Sequence, residues 1–217
     1  MLQDKKHVFW QALLLTILFF SLGIVFGIYI EQLRADNTNS IFYQSETSLY
    51  DSFALGKLLN NPSVSCEEIK SANVDFANQI YEEARKLENF DQSSKLTSTL
   101  KTIHRKYDLL RTLLWMDIIS EKAKCGQINT VVYLYEYNTD IIETKSKQAV
   151  WSKILQDLKS ENGAKVILIP IAVDEKIVSL DHLIKSYNVT KFPAVIINEK
   201  NTFYDHKTVQ ELDNYLK

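Results

Sequence analysis

The sequence predicts an α/β protein with an N-terminal transmembrane helix, a helical hairpin region and a C-terminal βαβαββα domain. An uncharged apolar run lies near the N-terminus, helical periodicity fills the middle, and strand-like runs alternate with helical ones near the end. Only 5 glycines and 3 prolines occur in 217 residues, which favours long helices. The predicted regions are a cytoplasmic tail (1–7), a transmembrane helix (8–30), a juxtamembrane linker (31–44), a helical region (45–126) and the C-terminal domain (127–217).

Composition excludes several classes of function. The formal net charge of −2 gives no electrostatic basis for nucleic-acid binding. The two cysteines form no Cys-x-x-Cys motif, so a conventional dithiol or zinc ribbon is not expected. No nucleophile motif, phosphate loop or dinucleotide fingerprint occurs, and we predict no catalytic residue, cofactor or metal. The histidines lack ligand spacing; they are His7, His104, His182 and His206.

The segment from Val8 to Ile30 contains no charged residue and would span about 34 Å as a helix, enough for a hydrocarbon core of about 30 Å. The rival interpretation is a cleaved signal peptide, whose apolar core is usually only about 7–15 residues. The greater length and a poor cleavage site favour an uncleaved signal-anchor. Lys5 and Lys6 precede the segment and only Arg34 follows it closely. The positive-inside rule then predicts a single-pass protein of the cell membrane, with the N-terminus cytoplasmic and the bulk extracytoplasmic.

Gly23 and Gly27 form a Gly-xxx-Gly pair within the apolar segment. Such a pair allows close helix packing in lipid, which would make the chain a homodimer. The alternative is that glycine is simply common in transmembrane helices, and the sequence leaves this open.

Three helices are predicted in the middle region. The first runs from Ser45 to Asn60 and ends at Pro62; the second is capped by Ser65 and ends near Phe90, before a polar break at 91–94; the third ends at Gly126. The apolar residues of the first are Leu49, Phe53, Leu55, Leu58 and Leu59.

Cys66 and Cys125 occupy the start of the second helix and the end of the third. Helices joined by a short turn lie antiparallel, so both cysteines belong to the same end of the hairpin. A structural disulfide is the leading interpretation for an extracytoplasmic domain. The longer third helix would leave the sulfurs about 10 Å out of register unless it bends or starts late. Two reduced buried thiols and a reactive redox pair remain as alternatives.

The C-terminal region alternates strands with helices. Strand 130–137 is followed by a helix from about 145 to 160, which Asp140 or Thr144 would cap. Pro170 interrupts an apolar central strand at 165–173, and a bulge or a local edge position would accommodate it. The remaining elements are a helix at 179–187, a strand at 194–198, a turn at 199–201, a strand at 202–204 and a helix at 208–216. A helical crossover favours parallel pairing of the first two strands, and the closing hairpin is antiparallel.

Two segments carry a resemblance to a known superfamily. Residues 187–197, in which Phe192-Pro193 precedes an apolar strand, are similar to the thioredoxin stretch that ends a helix, places a cis-proline and begins the next strand. Strand 130–137 is similar to the strand that delivers the thioredoxin active-site motif. The region 128–217 therefore resembles the thioredoxin-like superfamily. The resemblance implies that the loop after the first strand faces the cis-proline.

The loop after the first strand departs from the thioredoxin pattern. Asp140-Ile141-Ile142-Glu143 lies about where Cys-x-x-Cys is expected, and carboxylates cannot replace a thiolate in disulfide exchange. Acidic residues are also favoured at a helix start by the helix dipole, which competes with a metal or acid–base role. The candidate peptide-binding edge comprises Phe192, Pro193, Tyr137, Asp140 and Glu143.

Function is therefore expected to be non-catalytic binding of a protein or peptide partner. Tyr133, Tyr135 and Tyr137 alternate onto one face of their strand, where they form either core or an aromatic binding patch. One alternative function is an envelope thiol–disulfide oxidoreductase that uses Cys66 and Cys125. Another is a structural membrane spacer.

Overall fold

The computed structural model describes residues 5–59, 61, 63–91, 98–126 and 128–216. Predictions for residues 1–4, Pro62 and 92–94 lie outside this range. The chain forms two compact units, Met1–Tyr43 and Gln44–Lys217. The helices are α1 (Lys5–Leu59), α2 (Cys66–Asp91), α3 (Ser98–Cys125), α4 (Ile142–Asn162), α5 (Val178–Ser186) and α6 (Val209–Asp213), with a 3₁₀ turn at Gly163–Lys165. The strands are β1 (Thr130–Tyr135), β2 (Ile167–Ala172), β3 (Ala194–Ile197) and β4 (Asn201–Phe203).

Helix α1 contains the apolar segment near the N-terminus. Its portion His7–Leu33 is long and apolar enough to cross a membrane, and none of its most apolar window is buried. The predicted start of a separate helix at Ser45 is wrong, because α1 continues through residues 31–44. That stretch is largely polar, but no glycine or proline interrupts it, so the helical hydrogen-bond ladder can continue.

Helices α2 and α3 form the predicted hairpin. A capping box begins α2, in which the Glu68 N–H donates to Ser65 Oγ (3.3 Å) and the Ser65 N–H donates to Glu68 Oε2 (2.8 Å). The Ser65 hydroxyl also donates to Glu68 Oε2 (2.7 Å), and this bond together with the one from the Ser65 N–H lowers the pKa of Glu68. Helix α3 ends at Gly126, whose φ of 73° is a left-handed conformation that glycine adopts readily. The buried apolar side chains of the hairpin are Ile69, Phe76, Ile80, Ala84, Leu87, Leu100, Ile103, Tyr107, Leu110, Leu114, Trp115 and Ile118.

The four described strands form one mixed sheet in the order β2-β1-β3-β4. Strand β1 is parallel to β2 and antiparallel to β3, which is antiparallel to β4. The predicted central position of the strand containing Pro170 is wrong, because β2 lies at an edge of this sheet. The alternative edge position is confirmed, and it lets the proline avoid a ladder hydrogen bond.

Helices cover the sheet on both faces. Val131 and Tyr133 face a core that contains Trp151 and Leu155 of α4 and Leu212 of α6. Val132 and Leu134 alternate with them along β1 and are also buried, so they point to the opposite face. β1 is therefore enclosed on both sides, as expected of an inner strand.

Several element ends differ from the predictions. Neither Asp140 nor Thr144 caps α4, because Ile141 is the N-cap residue and forms no side-chain cap. Strand β1 ends at Tyr135, and the chain turns at Tyr137 and Asn138. The turn after β3 is centred on Asn198 and Glu199, both with left-handed φ angles, so β4 begins earlier than predicted. The last helix is only Val209–Asp213, with Thr208 as its cap in a capping box.

Candidate functional site

Three connecting segments meet at the end of the sheet where β1 and β2 finish and β3 begins. Leu134 pairs with Ala194, so the residues directly before β3 lie at the carboxyl end of β1. Tyr135 pairs with Ala172 in the parallel ladder, which brings the end of β2 to the same place. We call residues 136–142, 173–178 and 190–193 the loop edge.

Pro193 lies at the loop edge, buried, and its peptide bond to Phe192 is cis. Phe192 itself is half-buried. Of the candidate residues predicted from the sequence, Phe192, Pro193, Tyr137 and Asp140 all belong to the loop edge. Glu143 follows it directly, in the first turn of α4.

Backbone groups of the segment after β1 are held by side chains from two directions. Gln148 of α4 bonds both backbone groups of Glu136, accepting from its N–H (2.8 Å) and donating to its carbonyl (3.0 Å). The Asp174 carboxylate accepts from the N–H groups of Tyr137 (2.8 Å) and Asn138 (2.7 Å). These four bonds fix the path of the segment before α4 begins.

Side chains also connect the loop edge to α3. The Tyr137 hydroxyl lies 3.0 Å from His104 Nε2, and the two rings are 4.6 Å apart. The Arg105 guanidinium donates to the carbonyl of Lys176 (2.9 Å). Tyr137 therefore serves to anchor its loop on the helical hairpin.

Aliphatic side chains at the loop edge are exposed to solvent. Ile141 is 62% exposed, Ile142 is 81% exposed and Val178 is 70% exposed. Ile141 and Ile142 begin α4 and Val178 begins α5, and the segments that precede these helices are joined through Asp174 and Asn138. A contiguous patch of exposed apolar side chains is a common feature of sites that contact another macromolecule, whereas single exposed apolar residues are ordinary.

The two acidic residues predicted for this site, Asp140 and Glu143, are both exposed to solvent. Asp140 is exposed, and Glu143 forms an exposed ion pair with Lys147 (3.1 Å) on the next turn of α4. Among the residues described, no group of three or more His, Cys, Asp or Glu side chains is arranged to hold a metal ion.

The tyrosines predicted to share a face have different roles. Tyr133 is buried and its hydroxyl donates to the carbonyl of Gln148 (3.2 Å); burial raises its pKa to about 12. The half-buried Tyr135 stacks on it with ring centroids 5.3 Å apart. Tyr133 and Tyr135 thus belong to the covered face of the sheet, and only Tyr137 lies at the loop edge.

Cys66 and Cys125 form a disulfide with Cα atoms 5.2 Å apart. The predicted mismatch in register is absent, because the described helices α2 and α3 have nearly equal lengths of 26 and 28 residues. The bond closes the hairpin shortly before β1 begins, whereas the loop edge lies beyond the carboxyl end of β1. A six-residue strand is about 20 Å long, so the disulfide and the loop edge lie at opposite ends of β1.

Gly23 and Gly27 lie within His7–Leu33, in the unit Met1–Tyr43. Among the described residues, and apart from the neighbouring backbone of the helix itself, no heavy atom lies within 4 Å of a Cβ atom built on either glycine.

A polar network that the sequence did not predict joins α3 to the β3–β4 turn. Glu199 accepts from Trp115 Nε1 (3.0 Å) and Thr130 Oγ1 (2.7 Å), and it forms an ion pair with Lys122. Tyr187 stacks on Trp115 with ring centroids 5.3 Å apart, and burial together with the Glu199 charge raises its pKa. The partners are far apart in sequence, and only the left-handed turn at Glu199 brings them together.

Comparison of the chain with protein-family models, with curated proteins and with solved structures finds no match to any of the three.

Proposed function

We propose that this chain is a single-pass membrane-anchored protein that binds an extended polypeptide segment of a partner at the loop edge. The observation that carries the proposal is the exposure of Ile141, Ile142 and Val178 on loops that are otherwise fixed by hydrogen bonds. A partner that covers exposed aliphatic side chains removes apolar surface from water, which lowers the free energy of the complex. Loops that are already ordered lose little conformational entropy on binding.

The domain that carries the loop edge is, in this proposal, thioredoxin-like. The order β-α-β-α-β-β-α, the parallel β1–β2 pair, the antiparallel hairpin and the Phe192-Pro193 pair directly before β3 support this assignment. The loop opposite the proline offers no thiolate, so binding without dithiol chemistry is the role that fits its residues.

The anchor in this proposal is His7–Leu33, with the folded unit on the extracytoplasmic side. Lys5 and Lys6 before the segment support a cytoplasmic N-terminus. The Cys66–Cys125 disulfide supports an oxidising compartment for the folded unit.

A direct binding measurement tests the proposal. The full chain in detergent micelles is titrated into fluorescent ten-residue peptides of alternating aliphatic and polar residues, and anisotropy is recorded. Ile142→Asp is expected to weaken binding at least tenfold, because it places a charge in the apolar contact. The matched control is Val150→Asp, on an exposed position of the same helix, which should bind as the wild type does.

Two outcomes would count against the proposal. One is wild-type binding no stronger than that of an all-polar peptide. The other is equal binding by the Ile142→Asp and Val150→Asp variants, which would place the contact elsewhere.

A further inference from the structure

The segment 44–59 of α1 packs on the α2–α3 hairpin through its small polar residues. Its buried side chains are Ser45, Ser48, Ser52 and Leu59, whereas Tyr50 and Phe53 are exposed. This is the reverse of an ordinary amphipathic helix, which buries its large apolar side chains. Polar contacts therefore contribute, together with the buried Leu59, to holding this segment in place.

Two of these contacts are made to buried or partly buried carboxylates. Ser48 Oγ donates to both oxygens of Glu83 (2.9 and 3.0 Å), and Gln44 Nε2 donates to the same carboxylate (3.3 Å). Asp117 of α3 lies directly beneath Gly56, where a Cβ atom would come within 3.3 Å of both carboxylate oxygens. The helix backbone thus covers the Asp117 carboxylate closely.

A second carboxylate follows Asp117 on the same face of α3. Glu121, one turn later, is buried and accepts a hydrogen bond from Asn73 Nδ2 (2.5 Å). The charged groups that act on Glu121 are Asp117 and Lys124 of its own helix. Helix α2 faces it with the neutral Asn73. Helix α1 meets this face at Gly56, and the charged side chains of Asp51 and Lys57 on either side of that glycine are exposed.

We propose that ionisation of the Asp117–Glu121 pair controls how firmly segment 44–59 is held against the hairpin. The segment is held while the pair carries at most one negative charge. It loosens when both carboxylates are ionised, because Asp117, which lies beneath Gly56, then carries its charge one helical turn from the charged and buried Glu121. This inference is independent of the proposed binding function.

The direction of the pH dependence follows from the pKa values. Burial raises the pKa of Glu121 to about 7, and the Asp117 charge adds to the effect; burial also raises the pKa of Asp117. A raised pKa in the packed state means that this state holds its proton more tightly than the released state does. The stabilisation is therefore complete below the ordinary glutamate pKa of about 4.5 and is lost as the pH rises through about 7.

Hydrogen exchange of the full chain in detergent micelles tests this inference. After correction for intrinsic exchange, protection of segment 44–59 should fall on the order of tenfold or more between pH 5.5 and pH 8. Protection of α2 and β3 should change little. Glu121→Gln should abolish the dependence, since the amide does not ionise, and Asp117→Asn should reduce it. The matched control is Glu82→Gln, an exposed position of α2, which should retain the wild-type dependence.

Constant protection of segment 44–59 across this pH range in the wild type would overturn the inference. Retention of the full pH dependence by Glu121→Gln would do the same. If Glu121→Gln fails to fold, the wild-type series and the Asp117→Asn variant decide the question by the same criteria.

Discussion

Asp108 of α3 accepts a hydrogen bond from the backbone N–H of Ala172 (3.1 Å), at the open edge of β2. Ile167 and Val173 donate their N–H groups towards β1, so the N–H groups of alternate residues face away from the sheet. Pro170 occupies one of these outward positions, where its missing N–H breaks no ladder bond. The helical hairpin thus closes part of an edge that would otherwise be free to pair with another strand.

Replacement of Asp108 should destabilise the folded unit strongly. In the wild type, the Asp108 carboxylate lies 3.1 Å from the Arg111 guanidinium and accepts from the Ala172 N–H. Asp108→Ala leaves both groups without this acceptor. We expect the free energy of unfolding to fall by about 3 kcal/mol, measured by urea denaturation of the full chain in detergent. Asp181→Ala, at an exposed position of α5, should change it by less than about 0.5 kcal/mol. Equal stability of the two variants would contradict the role assigned to Asp108.

Replacement of Asp174 should loosen the loop edge. Asp174→Ala removes the acceptor for the N–H groups of Tyr137 and Asn138, and a lost charge-assisted hydrogen bond costs about 1–3 kcal/mol. Hydrogen exchange should speed up at Tyr137 and Asn138 while the strand residues of β1 stay protected. Asp174→Asn, which retains one acceptor oxygen, should show a smaller effect. Unchanged exchange in Asp174→Ala would mean that Gln148 alone fixes the loop.

Loss of the disulfide should reduce stability without altering the loop edge. Cys66 and Cys125 are 59 residues apart, and closing a loop of this length corresponds to about 4 kcal/mol in the chain-entropy model. The double variant Cys66→Ser with Cys125→Ser should therefore unfold at a lower urea concentration, yet bind the test peptide as the wild type does.

The reduction potential of the Cys66–Cys125 disulfide distinguishes the proposed binding function from an oxidoreductase role. A structural disulfide should stay oxidised down to about −300 mV in a dithiol redox titration. A midpoint potential of about −200 mV, near that of a glutathione buffer, would instead favour the alternative of a thiol–disulfide oxidoreductase.

Local patterns were enough to predict much of the fold. The order of strands and helices follows from apolar periodicity, and the ends of the hairpin follow from the Ser65 cap and Gly126. The start of α4 was not predictable in this way, because the bonds from Gln148 and Asp174 fix the preceding loop, and no side chain caps the helix. The buried Ser48 was likewise missed, since its burial depends on Glu83, which lies 35 residues away.

The candidate site was predictable only in part. Phe192 and Pro193 mark the loop edge because their local sequence is distinctive. The exposure of Ile142 was not predicted, because isoleucine is one of the residue types most often buried. Its exposure results from the way α4 packs through Trp151 and Leu155.

Site-specific crosslinking in intact host membranes tests the central claim most directly. A photoreactive amino acid is placed at Ile142, at Val178 or, as the control, at Val150 of the full chain. Binding at the loop edge predicts that one and the same polypeptide is captured from positions 142 and 178 and not from 150. Capture of the same polypeptides from all three positions, or of none from 142 and 178, would contradict it.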